Sequence, residues 1–158
     1  MTIGAGVIQA DLREPDKILA DPETQLLIDF TQPVALLLLA VLHFVPDAAN
    51  PAQILATLRD AVSPGSYLVI CHACRDVRPE TADNATVVYN SRVAANLRVR
   101  TREEIAALFD GFTLVEQGLV WIPEWLPGSP DDVPETRSNS GPSSAWPGVT
   151  PDSPGGGA

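Results

Sequence analysis

Two histidines and two cysteines carry the most distinctive chemistry in this chain, and they fall into two short segments. His43 lies in a Leu-His-Phe segment at positions 42–44, after a long apolar run, and His72 lies inside a Cys-His-Ala-Cys segment at positions 71–74. Both segments follow residues typical of buried strands. Because the carboxyl ends of neighbouring parallel strands meet at one edge of a sheet, the sequence predicts a ligand site at that edge.

The Cys-x-x-Cys pattern has three interpretations. A thioredoxin-like redox pair is expected at the start of a helix, where the dipole lowers a thiol pKa, whereas segment 71–74 ends a strand. A zinc site needs four ligands, so His43 would have to join the two cysteines and His72 from the neighbouring strand. We favour two cysteines without either role, and we therefore expect no metal.

Composition excludes some classes of function. The 158 residues carry a formal charge of −10 and ten basic side chains, too few and too scattered for a nucleic-acid surface. The longest apolar run, residues 33–45, is shorter than the roughly 20 residues that span a bilayer. The amino terminus has neither the basic nor the apolar region of a signal peptide, so we expect a cytoplasmic protein without membrane contact.

Predicted strands and helices alternate along the chain. Strands are expected at 7–12, 33–45, 67–73 and 112–121, and helices at 15–20, 22–30, 51–62 and 101–110. Alternation of this kind implies parallel pairing and right-handed crossovers, hence a doubly wound α/β fold. We expect the fold to occupy residues 1–126, and the Pro/Gly/Ser-rich residues 127–158 to form a disordered tail.

The strands at 33–45 and 67–73 are expected to be buried on both faces, and the strand at 112–121 alternates apolar and polar residues as an edge strand would. Asn50 is expected to cap the helix at 51–62, and Thr101 and Glu104 to form a capping box for the helix at 101–110. The polar residues 75–84 are expected to form a loop.

Four segments resemble a known family when they are taken together. The sequences ADLR (10–13), VLHFVPD (41–47), LRDAVSPGSYL (58–68) and FDGF (109–112) have the order and spacing of class I S-adenosylmethionine-dependent methyltransferases. The chain is most similar to a bacterial subfamily whose substrates are mostly unassigned, over about residues 7–125. The resemblance implies a Rossmann-like, mostly parallel sheet, S-adenosylmethionine as cofactor and a small-molecule methyl acceptor.

The resemblance also implies cofactor-binding residues. Asp11 matches the carboxylate that accepts a hydrogen bond from the adenine amino group, and Leu12 matches the neighbour whose backbone N–H meets a ring nitrogen. An acceptor-only carboxylate suits an exocyclic amine. The alternative is that Asp11 only ends a strand and caps the next turn.

The segment 42–44 matches the part of the family that lies beside the methionine end of the cofactor. Leu42, His43 and Phe44 are therefore expected at the cofactor mouth. His43 is a weak candidate for a catalytic base, because a sulfonium already activates the leaving group and a structural histidine bonded to backbone is the favoured interpretation. The catalytic residue is otherwise unknown. The alternating Arg98, Arg100 and Arg102 are expected to form a solvated face.

Two family features have no counterpart in this sequence. A Gly-rich turn after the first strand and an acidic residue at the end of the second strand do not occur, so the chain matches the carboxyl-terminal portion of the family, without its first two strands. The strand at 33–45 would then lack a partner on one edge. We expect weak or no binding of S-adenosylmethionine by the chain alone, and self-association through the exposed sheet edge. The alternative to an enzyme is a non-catalytic remnant or an interaction module that associates through that edge.

Overall fold

The computed structural model describes residues 4–76, 87–88, 90–91, 97–116 and 118–125. Bounds are given for four α-helices, two strands and three short 3₁₀ helices in this part of the chain. The α-helices are α1 (Pro15–Leu19), α2 (Pro22–Leu27), α3 (Pro51–Asp60) and α4 (Arg102–Ala107), and the strands are β1 (Ala35–Leu39) and β2 (Tyr67–Cys71). The 3₁₀ helices are η1 (Leu42–Phe44), η2 (Asp47–Ala49) and η3 (Ile122–Glu124).

β1 and β2 form a parallel pair with α3 as the crossover between them. The register places Ala35 opposite Tyr67 and Leu39 opposite Cys71. A parallel pair requires a crossover connection, usually a helix, which explains why α3 separates the strands in sequence. The parallel α/β arrangement inferred from the sequence is confirmed.

Helix α3 begins where its sequence predicts. The Asn50 side chain accepts a hydrogen bond from the Gln53 N–H, and Pro51 occupies the first turn, where a missing N–H costs nothing. Asn50 has a left-handed backbone with φ of 51°, a conformation that asparagine tolerates better than most residues. Helix α3 buries Ile54, Leu55 and Leu58 on one face, and this face packs on the sheet.

The hydrophobic core joins α3 and α4 to one face of the sheet. Leu68 and Ile70 of β2 and Ile105 of α4 are completely buried. The core also contains the side chains that follow β1 and those that end α4. Its further buried members are Leu42, Val45, Ile54, Leu55, Leu58, Cys74, Leu108, Phe109 and Leu119.

The strand expected at residues 7–12 is absent. These residues have no ladder partner within the described part of the chain, Val7 is exposed, and the Glu14 N–H bonds to the Asp11 carbonyl at 3.0 Å to make a turn. A strand needs a neighbour to satisfy its backbone groups, and none is present here. Helix α1 follows as predicted, and α2 ends three residues before the predicted end at 30 because Ile28 has an extended backbone.

The thirteen-residue strand predicted at 33–45 is also wrong in its extent. β1 ends at Leu39, and Ala40 takes a left-handed backbone with φ of 55°, which turns the chain into η1. This conformation is uncommon for a residue with a Cβ. The apolar residues that follow β1 therefore pack in the core instead of extending the sheet, and Leu42 and Val45 are buried there.

One face of the sheet is open. We expected β1 to be buried on both faces, but its side chains alternate between half-buried and exposed, and Leu37 and Leu39 remain 59% and 58% exposed. Tyr67, which pairs with Ala35 and so shares this face, is 49% exposed. Parallel sheets are normally covered on both faces, so this face lacks a covering layer within the described residues.

Helix α4 has the capping box that the sequence predicts. The Thr101 hydroxyl accepts from the Glu104 N–H, and the Glu104 carboxylate accepts from the Thr101 N–H. Gly111 follows the helix with φ of 79°, and the Arg59 guanidinium lies where a Cβ would be. A side chain at this position would therefore meet both strain and a clash.

The strand predicted at 112–121 does not form. The Gly118 N–H bonds to the Val115 carbonyl at 2.7 Å, and Gly118 has φ of 59°, so a turn interrupts the alternating pattern. Leu119 and Trp121 are nevertheless buried, whereas Leu114, an earlier apolar position of the pattern, is 39% exposed.

Two predictions fall outside the described residues. These are most of the polar loop after position 75 and the tail at 127–158, so the domain boundary proposed at 126 stays a prediction. None of the helices in the described part of the chain combines the length and the apolar character needed to cross a membrane.

Candidate functional site

The segments that leave β1 and β2 meet at the carboxyl edge of the sheet. The Ala40 N–H bonds to the Cys71 carbonyl at 3.0 Å, which extends the pairing one residue past β1. The rings of His43 and His72 then lie 5.7 Å apart, nearly perpendicular to each other. The two histidines that the sequence placed at strand ends are therefore brought together.

His72 is fixed as a neutral imidazole. It is 1% exposed, and burial is the main cause that lowers its pKa from 6.5 to about 4. An Arg100 N–H lies 2.8 Å from Nε2, and arginine only donates, so Nε2 accepts and Nδ1 carries the proton. That Nδ1–H donates to the Ala73 carbonyl at 2.8 Å.

His43 is the more accessible of the two histidines. Burial, together with the nearby Arg100 charge, lowers its pKa, so it is neutral at pH 7. Its Nδ1 is shielded from solvent and has no hydrogen-bond partner. This departs from the structural histidine favoured by the sequence, for which a bond to backbone was expected. A neutral ring with an unused nitrogen is suited to accept a proton or a hydrogen bond.

Arg100 is the residue that sequence reasoning missed. We expected it on a solvated face with its two neighbouring arginines, but it is 2% exposed, and that expectation is wrong. It donates to the Leu42 and Val45 carbonyls at 3.0 and 2.9 Å and to Asp47 at 2.8 Å. Only an indirect signal of this role was present in the sequence. Backbone carbonyls that follow an apolar strand and have no ladder partner must accept hydrogen bonds from other donors.

Asp47 connects the buried arginine to the surface. Its Oδ1 accepts from Arg100 and its Oδ2 from Arg98, each at 2.8 Å, and these bonds lower its pKa. Arg98 also donates to Glu104 of α4 at 2.9 Å, and its backbone N–H donates to the His43 carbonyl at 2.7 Å. Asp47 is thus a carboxylate held between two arginines, with much of its surface still exposed.

Asp11 and Leu12 lie in the segment before α1, separate from η1 in sequence. The Asp11 carboxylate forms hydrogen bonds with the backbone and side chain of Arg13, which lower its pKa to about 2. It is therefore ionised at neutral pH and acts as an acceptor only. A carboxylate has about four acceptor positions, and Arg13 occupies two on each oxygen of Asp11, so an exocyclic amine would have to displace part of the Arg13 contact. Leu12 packs on the edge of the core.

The three residues of η1 differ in exposure. Leu42 is completely buried in the core, and its carbonyl is used by Arg100, so its side chain does not face a ligand. Phe44 is 37% exposed and contacts the His43 ring edge-on at 4.3 Å. Of this segment, His43 and Phe44 are thus the two side chains available at the sheet edge.

The cysteines show no sign of a redox or metal role. Neither Cys71 nor Cys74 is in a disulfide bond, and burial raises the pKa of Cys71, the opposite of the shift that activates a thiol. Among the residues that the structure describes, no three His, Cys, Asp or Glu side chains are grouped so as to hold a metal ion.

A separate open cleft lies at the start of α4. Its volume is about 500 Å³, and none of the residues proposed for the cofactor lines it. The lining residues are Asp76, Thr101, Arg102, Glu103, Ala106 and Leu119. We therefore place the candidate site at the strand ends and not in this cleft.

Fit to S-adenosylmethionine is partial. An ionised carboxylate at Asp11 suits the adenine amino group, and Phe44 offers an exposed aromatic surface. The described glycines with positive φ are Gly65, Gly111 and Gly118, and none directly follows β1 or β2, so a glycine turn over the rest of the cofactor is not found here. The described residues thus fit the adenine side of the cofactor and the mouth of the site.

Comparisons with known proteins identify the family and support the fold. A family model described as S-adenosyl methyltransferase matches residues 3–151. A crystal structure of a DUF574 family protein from Streptomyces avermitilis MA-4680 is similar at 29% identity and a TM-score of 0.82, with 92% of this chain and 54% of that chain covered. A crystal structure of a "putative methyltransferase" from Thermobifida fusca YX is similar at 29% identity and a TM-score of 0.75, with 90% and 52% covered. No curated protein matches the chain.

The chain spans about half the length of these two solved proteins. Their folds agree with the parallel α/β arrangement described here and with a chain that represents one part of it. The family match covers almost the entire sequence, tail included. The chain therefore belongs to the S-adenosyl methyltransferase family.

Proposed function

We propose that this chain forms one half of a site that transfers a methyl group from S-adenosylmethionine to a small molecule. The observation that carries the proposal is the neutral His43 with an unpaired, buried Nδ1, next to an exposed Phe44 at the carboxyl edge of a parallel sheet. Ligands in open α/β sheets bind at that edge, and the family match gives the ligand its chemical class.

Each residue has a role in this proposal. Asp11 accepts from the adenine amino group, the Leu12 N–H meets a ring nitrogen, and Phe44 covers the cofactor. When bound, S-adenosylmethionine supplies a methyl group on a sulfonium that is already an activated leaving group. The chain's own contribution is then mainly to hold the acceptor in line with the methyl carbon.

His43 has the part of a proton acceptor. With S-adenosylmethionine bound, the methyl group would pass to the oxygen or nitrogen of the acceptor, the electron pair of the broken carbon–sulfur bond would stay on sulfur, and the acceptor O–H or N–H would give up its proton. A neutral His43 can take this proton or orient the group that carries it, and the lowered pKa keeps the ring neutral at pH 7. Methyl transfer still proceeds without it, since positioning supplies much of the rate.

Titration of S-adenosylmethionine by calorimetry tests the half-site. We expect the chain alone to bind at best weakly. Co-expression with the part of the Streptomyces avermitilis protein that this chain does not match should give a complex with micromolar affinity. In that complex Asp11→Ala should weaken binding roughly tenfold or more, the value of one charge-assisted hydrogen bond. Asp16→Ala, which removes another exposed carboxylate from the same region, is the control.

Two results would contradict the proposal. Micromolar binding by the monomeric chain alone would show that it is not half of a site. A stable complex that binds no cofactor, or that loses as much affinity in Asp16→Ala as in Asp11→Ala, would remove Asp11 from the cofactor site.

A second candidate function is a non-catalytic module that associates with a second copy of itself. The exposed Leu37 and Leu39 and the outer edge of β1 favour it, because within the described residues β1 pairs with β2 alone. An open edge next to an apolar face promotes association between chains. Because an incomplete half-site is also expected to self-associate, co-expression distinguishes the two candidates: a half-site forms a cofactor-binding complex with its missing part, whereas this module associates only with its own copies.

A further inference from the structure

The backbone of Arg100 is fixed to the segment that leaves β2. Cys74 and Arg100 form a parallel bridge, the Arg75 N–H bonds to the Arg100 carbonyl at 2.9 Å, and the Arg100 N–H bonds to the Ala73 carbonyl at 3.3 Å. The position of its side chain is thus set by β2, not by the segment that its guanidinium contacts.

The guanidinium group reaches four acceptors. One terminal nitrogen donates to the Leu42 carbonyl and to His72 Nε2, and the other donates to the Val45 carbonyl and to Asp47 Oδ1, over 2.8 to 3.0 Å. Three of these acceptors belong to residues 42–47, and the fourth belongs to the exit of β2. A single buried cation therefore joins the two strand exits.

We propose that Arg100 is the positioning residue of this site, which holds residues 42–47 against the end of β2 and so places His43 and Phe44. The proposal rests on the proposed function, since that function gives His43 and Phe44 their roles. His43 and Phe44 lie between the two carbonyls that Arg100 binds, and the His43 carbonyl itself accepts from the Arg98 N–H.

The chemistry of the contact requires arginine. A guanidinium is a rigid planar fork whose donors reach two carbonyls, a ring nitrogen and a carboxylate together, whereas a lysine ammonium is a point charge with three donors. Burial of the charge is tolerated because every contact is an acceptor and Asp47 adds an opposite charge. Replacement by lysine keeps the charge and loses the fork.

Arg98 provides a matched control. It shares Asp47 with Arg100, but its side chain is partly exposed and its other bonds go to Glu104 and to the Val99 carbonyl. Its link to His43 runs through the backbone N–H, which a substitution keeps. Arg98→Lys therefore changes a surface ion pair and leaves the contacts to 42 and 45 intact.

Hydrogen exchange measured by NMR on the cofactor-free chain tests the proposal. In Arg100→Lys we expect the N–H groups of Phe44 and Val45 to exchange at least tenfold faster, with less than a threefold change at Leu58 in α3. Arg98→Lys should change the exchange at Phe44 and Val45 by less than threefold. Equal effects of the two variants, or no effect at residues 44 and 45, would overturn the proposal.

A second measurement needs no variant and remains decisive if Arg100→Lys does not fold. Imidazole ¹⁵N shifts of the wild-type chain should show His72 with its proton on Nδ1, because Arg100 donates to Nε2. A proton on Nε2 would overturn the proposal. Neither measurement requires the cofactor. If the S-adenosylmethionine titration failed while the exchange rates and the ¹⁵N shifts came out as expected, the proposed function would be rejected. The role of Arg100 in holding residues 42–47 would still be supported.

Discussion

His72 shows how one buried side chain can be both structural and informative about the site. It is neutral, donates to the Ala73 carbonyl and accepts from Arg100, so protonation would place two cations in contact. Neither the position of His72 between two cysteines nor its residue type indicates this in the sequence. Its pKa is lowered to about 4 because of this buried environment.

The lowered pKa predicts that the chain loses stability on acidification. Below pH 6.5 the unfolded chain binds a proton at His72 that the folded chain rejects until about pH 4, so the free energy of unfolding falls across this window. The shift is worth about 3 kcal/mol, at about 1.4 kcal/mol per pKa unit. Urea unfolding at pH 7, 6, 5 and 4.5 measures the loss.

The matched variant is His72→Gln, whose amide can accept from Arg100 and does not titrate. We expect a shallower fall in its free energy of unfolding between pH 6.5 and 4.5, with the remainder due to the lowered pKa of His43. Identical pH dependence in the two proteins would show that His72 is not the group responsible.

Helix α3 illustrates which elements the sequence predicts well. Its cap, its first-turn proline and its apolar spacing are all local, and the structure confirms them. The predicted β1 shows the limit, because the backbone turn at Ala40 has no marker in the sequence and depends on Leu42 and Val45 packing into the core. The strand predicted at 112–121 failed for a comparable reason: a turn at Gly118 interrupts the alternation, and Leu119 and Trp121 are buried while Leu114 is exposed.

Asn50 offers a test at the level of the helix. Asn50→Ala removes the hydrogen bond to the Gln53 N–H and places a Cβ residue without a local partner in a left-handed backbone. We expect a loss of about 2 kcal/mol in the free energy of unfolding. Asn50→Gly keeps the backbone freedom and should lose less than about 1 kcal/mol. Equal losses in the two variants would show that the left-handed backbone contributes nothing.

The candidate site was only partly predictable from sequence. Spacing along the chain placed His43 and Phe44 at a strand exit, and resemblance assigned Asp11 its role. Arg100 was assigned to a solvated face because nothing local separates it from Arg98, and its burial results from contacts with residues more than fifty positions away. The hydrophobic periods of two and 3.6 residues that identify strands and helices carry no information about such long-range contacts.

At the level of the whole molecule, the open sheet face is the most unusual property. Leu37 and Leu39 are exposed on a strand whose opposite face meets the core, and the matched structures contain about as much chain again. Both facts are accounted for if further polypeptide covers this face in a complete enzyme. In its absence the same surface favours contact between copies.

The double variant Leu37→Thr, Leu39→Thr tests this surface. Threonine keeps strand propensity and removes apolar area, so sedimentation should show fewer oligomers than in the wild type, with a change in unfolding free energy below about 1 kcal/mol. Leu68→Ala, on the buried face, should instead cost about 3 kcal/mol without reducing association. Unchanged sedimentation in the double variant would exclude this face as the contact.

The hydrogen bonds between Arg100 and residues 42–47 also have a consequence for the order of folding. The three bonds to Leu42, Val45 and Asp47 join positions 58, 55 and 53 residues apart, whereas β1, α3 and β2 assemble from shorter separations. Closing longer loops costs more chain entropy, so these contacts are expected to form after the β1–α3–β2 unit. A nascent chain would then acquire its sheet before its site, and the interval between the two would be set by the arrival of a single arginine.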